Sequence, residues 1–131
     1  MILDLRYNKG GYIETTEYLA NLIAPSRLNG KIMYTEQFNN LLISGHAKIL
    51  KHQPYLDHNG NYVKINGRQA TMADVDFSEK GNTYQFSKKG KLESIKNIYF
   101  ITSQSTASAS ELLISLFKPY FNVKTVGQKT F

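Results

Sequence analysis

The chain contains no cysteine and no tryptophan, and only 3 prolines in 131 residues. Without cysteine there is no disulfide, no thiol nucleophile and no thiolate metal site, and the redox character of its compartment stays open. No apolar run is long enough to cross a membrane. No secretory leader pattern heads the chain, which opens directly on a strand-like segment. Acidic residues are in the minority, 10 against 16 basic ones, for a formal charge of +6, yet the basic residues form no helical stripe. Their densest cluster, Lys88-Lys89-Gly90-Lys91, reads as a hairpin turn between Tyr84-Gln85-Phe86 and Leu92 to Ile95. Nucleic-acid binding is therefore not expected. His46, His52 and His58 recur every six residues. That spacing fits neither a helical i, i+4 zinc face nor a tight loop pair, and no acidic cluster completes a ligand set, so no metal is expected and the three read as loop histidines, one of them open as a substrate contact.

What is present is enough for one modest domain with a single core: 41% hydrophobic residues, with 9 tyrosines and 7 phenylalanines. The most informative stretch is Ser105-Thr106-Ala107-Ser108-Ala109-Ser110-Glu111. Before it, Ile98-Tyr99-Phe100-Ile101-Thr102 has the β-branched and aromatic character of a buried strand. After it, Leu112, Leu113, Leu116 and Phe117 fall at helical spacing. Ser108 and Glu111 fit a capping box, in which hydroxyl and carboxylate satisfy the first amides of the helix. A serine at that place also sits where unpaired amides and the positive helix end converge, which suits a developing oxyanion. The flanking alanines leave room for a substrate backbone. Cap and nucleophile are both open on this motif alone.

The first segment, Met1 to Tyr7, alternates as a strand does and is broken at Asn8-Lys9-Gly10-Gly11. Paired glycines there make either a plain strand-to-helix turn or one that aims an amide at a ligand. A helix follows from Glu14 or Thr15, with Tyr18, Leu19, Leu22 and Ile23 as its expected buried stripe, and ends before Pro25. From about 34 to 97 helical periodicity is poor and turns separate short aromatic and β-branched runs, which predicts a hairpin-rich insert. Asn59-Gly60, flanked by Tyr55, Tyr62, Val63 and Ile65, is its strongest hairpin signal. Met72, Val75 and Phe77 fit a short helical or an extended piece equally well.

Taken together, three segments resemble a known family. Asp4-Leu5-Arg6-Tyr7-Asn8-Lys9-Gly10-Gly11 is similar to the DLRxNxGG turn, and Thr106-Ala107-Ser108-Ala109-Ser110-Glu111 to the SASASE nucleophile turn, of the C-terminal processing (tail-specific) serine peptidases. Val126-Gly127-Gln128-Lys129-Thr130-Phe131 resembles the VGExTF run that leads into Gly-Lys in these enzymes. The Tyr-Asn of the first motif and the Lys-Pro-Tyr-Phe end of the nucleophile helix resemble envelope members from Bacteroides-like bacteria.

The resemblance implies an α/β, ClpP/crotonase-like peptidase core, partial in residues 1–131, with the insert at about 34–97. It makes Ser108 the nucleophile and Gly11 and Ala109 the backbone donors of the oxyanion hole, with no cofactor and a protein or peptide substrate, unfolded or C-terminal. Periplasm or cell envelope is the implied location. In the family a lysine with a neutral amine is the base. Its equivalent would follow Phe131; Lys129 precedes that turn and does not match. These 131 residues are thus expected to show little activity alone. Lys9 stands where many members have glycine, and Pro119 near where some have an acidic residue, so no third catalytic group is carried over. The alternative reading is a non-catalytic peptide-binding fragment or pseudoenzyme. An acyl-CoA-type hydratase of the same broad fold is disfavoured, because it needs no nucleophilic serine.

Overall fold

The computed structural model describes residues 1–131. In chain order the elements are β1 (Ile2–Asp4), α1 (Ile13–Ile23), β2 (Ile32–Thr35), α2 (Asn40–Ile43), β3 (Lys64–Ile65), β4 (Arg68–Gln69), β5 (Thr83–Gln85), β6 (Asn97–Thr102), α3 (Ala109–Phe117) and β7 (Asn122–Gly127). They divide into two compact units, one of Met1–Tyr34 with Tyr84–Phe131 and one of Thr35–Thr83. The chain leaves and re-enters the first unit through β2 and β5, which pair with each other.

The first unit is built on a parallel sheet in the order β1-β6-β7. Ile2 lies opposite Tyr99 and Asp4 opposite Ile101, while Asn97 faces Asn122 and Thr102 faces Gly127. Alternation along central β6 buries Ile98, Phe100 and Thr102 on one face. The β6-α3-β7 segment is a compact parallel crossover, and a single helix suffices because parallel strands need one. Helix α3 buries Leu113, Ile114, Leu116 and Phe117 in the same core as Ala20, Ile23 and Phe86. Phe117 stacks on Phe86 at 6.2 Å between ring centroids and meets Phe121 edge-on at 5.2 Å. Burying one such ring contributes roughly 1.5–3 kcal/mol.

Two expectations for this unit are corrected. Of the expected buried stripe of α1, Ile23 is buried and Leu19 packs against the core, but Tyr18 is 55% exposed, and Thr16, Ala20 and Asn21 take the buried side with Ile23. The helix is rotated because small Ala20 permits close packing and Thr16 has a partner on α3. Nor do residues 84–95 form a hairpin about Lys88-Lys89-Gly90. The loop is captured by α1: the Ser87 amide donates to Asn21 Oδ1 at 2.8 Å and the Lys89 amide to the Asn21 carbonyl at 2.9 Å. Gly90 lies so close to the Leu22 carbonyl that no side chain fits there. Lys88 then pairs with Glu93 at 2.6 Å.

The second unit is held mainly by turns and polar contacts. Its Asn59-Gly60 hairpin forms as expected, with Leu56 bridging Tyr62 and the Asp57 carboxylate accepting the Asn59 and Asn61 amides. A further Asn66-Gly67 turn, with φ +50° and +80°, joins antiparallel β3 and β4. Met72–Asp74 is a 3-10 turn capped by Thr71 and Asp74, and Val75 after it is extended. The imidazole of His46 is hydrogen-bonded to Ser44, and that of His58 to Asn59, both on exposed loops.

Candidate active site

The chain leaving β6 turns at Ser103 and enters α3 through Ser108, which has φ +56° and ψ −123°. A non-glycine residue there carries about 1–3 kcal/mol of strain, so its surroundings must hold it in place. Thr106 is fully buried, and its hydroxyl donates to the Leu5 carbonyl at 2.8 Å while accepting the Ser103 amide at 3.0 Å. The Ala107 amide reaches the Asn8 carbonyl at 3.3 Å. The Glu111 carboxylate accepts the Ser108 amide at 3.1 Å on one oxygen and the Thr130 hydroxyl at 2.6 Å on the other. The Glu111 amide makes its 2.8 Å bond to the main-chain carbonyl of Ser108. The expected Ser108–Glu111 cap is therefore present, and its carboxylate arm also fastens the segment after β7. The Phe131 amide joins it there, donating to the Thr106 carbonyl at 3.1 Å.

The second turn comes from the other end of the unit. After β1, Arg6 forks onto Asp4 at 2.7 Å, and this hydrogen-bonded guanidinium lowers the Asp4 carboxyl pKa. Tyr7 takes up φ +65°, with its amide on the Ser103 hydroxyl at 3.3 Å. Asn8 Oδ1 then accepts the Gly10 amide at 3.0 Å. Gly10, at φ +97°, presses directly on the Ala107–Ala109 turn, whereas Gly11, at φ +147°, has nothing within 4 Å of where a side chain would begin.

Gly11 and Ala109 thus lie on two segments brought to one place. Both border a cavity of about 280 Å³, together with Leu5, Asn8, Gly10, Tyr12, Thr15, Thr16, Leu19, Ser110 and Leu113. Neither the Gly11 amide nor the Ala109 amide makes a hydrogen bond within the chain. Ala109 is the first residue of α3, where an amide has no helical partner and the dipole is positive. No lysine or histidine side chain is bonded to Ser108 within these residues. Lys129 lines a different hollow of about 260 Å³ with Glu111, Lys118 and Thr130.

Reading the sequence singled out Ser108, Gly11 and Ala109 but not Thr106, Thr16 or Gly10 as a contact. Thr106 had a local signal, since it lies inside the hydroxyl-rich turn. Thr16 had none, because its partner is 93 residues away.

A serine in a strained strand-to-helix turn, beside unbonded amides and a cavity, is an arrangement suited to hydroxyl attack on a carbonyl. The sequence profile of peptidase family S41 matches residues 1–131. The chain belongs to this family, the C-terminal processing peptidases. Its fold is similar to the crystal structure of a Bacteroides fragilis protein that bears the name S41 protease, with a TM-score of 0.58 and 19% identity. That likeness covers 98% of this chain and 25% of the other, so the chain spans about a quarter of that protein's length. At such identity it speaks for the fold alone. No curated protein matches the chain.

Proposed function

We propose that Ser108 is the nucleophile of a serine peptidase of the C-terminal processing type, acting on unfolded or C-terminal protein segments. The observation that carries this reading is the backbone of Ser108, held at φ +56° immediately before Ala109, whose unbonded amide borders the same cavity as that of Gly11. Membership of the S41 family supports the same chemistry. Ser108 Oγ attacks the peptide carbonyl carbon and passes its proton to the base, the lysine that family resemblance places just after Phe131 in the full-length protein. The C–O bond forms, and the carbonyl electrons become an oxyanion received by the Gly11 and Ala109 amides. Collapse expels the amine, which takes the proton, and water then hydrolyses the ester. The adjoining cavity, with Leu5, Leu19 and Leu113 in its wall, takes an uncharged substrate side chain next to the scissile bond.

The same reading gives the first unit a ClpP/crotonase-like core, makes Thr35–Thr83 an elaboration of it, and places the enzyme in the periplasm or cell envelope. No cofactor is required. The test is cleavage of an unfolded protein, and labelling by a fluorophosphonate, by the full-length protein and its Ser108→Ala variant. Labelling and cleavage that both vanish in the variant are expected. Equal rates for the two proteins would refute the assignment and favour a peptide-binding role without catalysis.

A further inference from the structure

Thr16 lies on the first turns of α1 and is only 7% exposed. A threonine inside a helix ordinarily satisfies its hydroxyl on a carbonyl of the preceding turn of its own helix. Here the hydroxyl instead crosses to α3 and donates to the carbonyl of Ala109 at 3.0 Å, in a buried bond. Its two ends matter because of what precedes each helix. Helix α1 begins two residues after Gly11, and Ala109 is itself the first residue of α3. The bond therefore ties together the two short segments that carry Gly11 and Ala109, and Thr16 lines the cavity with both residues.

A second observation gives this bond its weight. The N-terminal residue of α1, Tyr12, provides no side-chain cap. The start of α1 is thus not fixed by a local device, unlike the start of α3, which Glu111 holds. An uncapped helix start frays readily. The Thr16 hydroxyl supplies a side-chain tie from α1 itself to the first residue of α3, beside the Ala107–Asn8 backbone bond and the Gly10 contact that join the two preceding turns.

We propose that Thr16 is a positioning residue that sets the separation of the Gly11 and Ala109 amides. This rests on the reading of those amides as the oxyanion donors. Thr16 touches neither Ser108 nor the proposed oxyanion; it acts through Ala109. Because an oxyanion exists only in the transition state and intermediates, loosening the pair slows the chemical step and leaves ground-state binding unchanged. Removal of one donor in such a site lowers kcat by about 10²–10³-fold, so displacement of one corresponds to about 10–100-fold.

The test uses the full-length protein and its Thr16→Val, Thr16→Ala and Thr16→Ser variants, with kcat and KM on a peptide substrate, the rate of fluorophosphonate labelling, and the thermal midpoint. Thr16→Val and Thr16→Ala are expected to lose about 10–100-fold in kcat and in labelling rate, with KM within about twofold of wild type. Thr16→Ser, which keeps the donor, is expected near wild type. Wild-type kcat in Thr16→Ala overturns the inference, as does a Thr16→Ser variant as slow as Thr16→Ala, since either shows that the hydroxyl is not what acts. A loss that follows the fall in thermal midpoint across all three variants also overturns it, by reducing Thr16 to a packing residue. Absence of any Ser108-dependent labelling in the wild type is a different failure: it removes the oxyanion reading, and the inference falls with it.

Discussion

Gly10 and Ser108 touch where their side chains would begin: a Cβ on Gly10 would lie 2.7 Å from Ser108 Cβ. The same atom would be 2.8 Å from the Ala107 carbonyl and 2.9 Å from the Ala109 amide nitrogen, at a φ of +97°. Gly10→Ala must therefore move the Ser108 turn or the Asn8 loop. The expected cost is about 2–5 kcal/mol from overpacking and backbone strain, with loss of Ser108 labelling. Gly11→Ala, with open space around it, meets only the strain of its φ and is expected to cost about 1–2 kcal/mol. Urea unfolding of both variants checks the contrast, and equal costs would contradict it.

Strain at Ser108 has a testable cost in stability. Ser108→Ala keeps a Cβ at φ +56° and so keeps the strain, whereas Ser108→Gly releases it. The glycine variant is expected to be more stable than the alanine variant by about 1–2 kcal/mol, with both inactive. If denaturant midpoints put alanine above glycine, the backbone is not strained there.

Thr106 connects the two turns through its buried hydroxyl, bonded to Leu5 and Ser103. Thr106→Val preserves shape and removes both bonds. Since Leu5 retains the Asn8 amide as a donor, the chief loss is at the Ser103 amide, and about 1–3 kcal/mol of destabilisation is expected. Thr106→Ser should recover most of it in the same unfolding assay.

Acid sensitivity has an identifiable contributor in Glu93. Its pKa is lowered to about 2, first by the Lys88 ammonium and then by the Ser26 amide and hydroxyl. A depressed carboxyl pKa stabilises the fold above its unfolded value, about 4.3, and that contribution fades as pH falls toward about 2. Glu93 is more than half exposed, so the effect is small. Glu93→Gln is expected to flatten the loss of thermal midpoint across this window; an unchanged slope would contradict the assignment.

What could be read from the sequence was what is local in it. The Ser108–Glu111 cap, the stop before Pro25 and the Asn59-Gly60 hairpin each depend on residues a few positions apart, and each is present. The errors arose where a distant partner outweighed local pattern. Tyr18 has the right spacing for the buried side of α1, but Thr16 and Ala20 take that side because α3 lies against it. Lys88 to Lys91 has turn-like composition, yet Asn21 on α1 decides its path. Strand β7 carries only Val123 and Val126 among polar residues, three apart and so on opposite faces, which leaves no alternation to read; pairing with β6 is what defines it. In the candidate site, the serine turn was legible by itself, whereas the press of Gly10 against it appears only once β1 and β6 lie side by side.

The pairing of Ile2 with Tyr99 also governs when the site comes into being. Segments at opposite ends of the sequence must meet before Ser108 acquires its neighbours, and such long-range parallel pairing is slow because loop closure precedes any reward. Until then, Ser108 is chemically an ordinary alcohol in a flexible chain. Emergence of probe reactivity during refolding is thus a clock for closure of the sheet. On the reading of Ser108 as the nucleophile, the hydroxyl of a newly made chain gains its oxyanion donors only after this pairing.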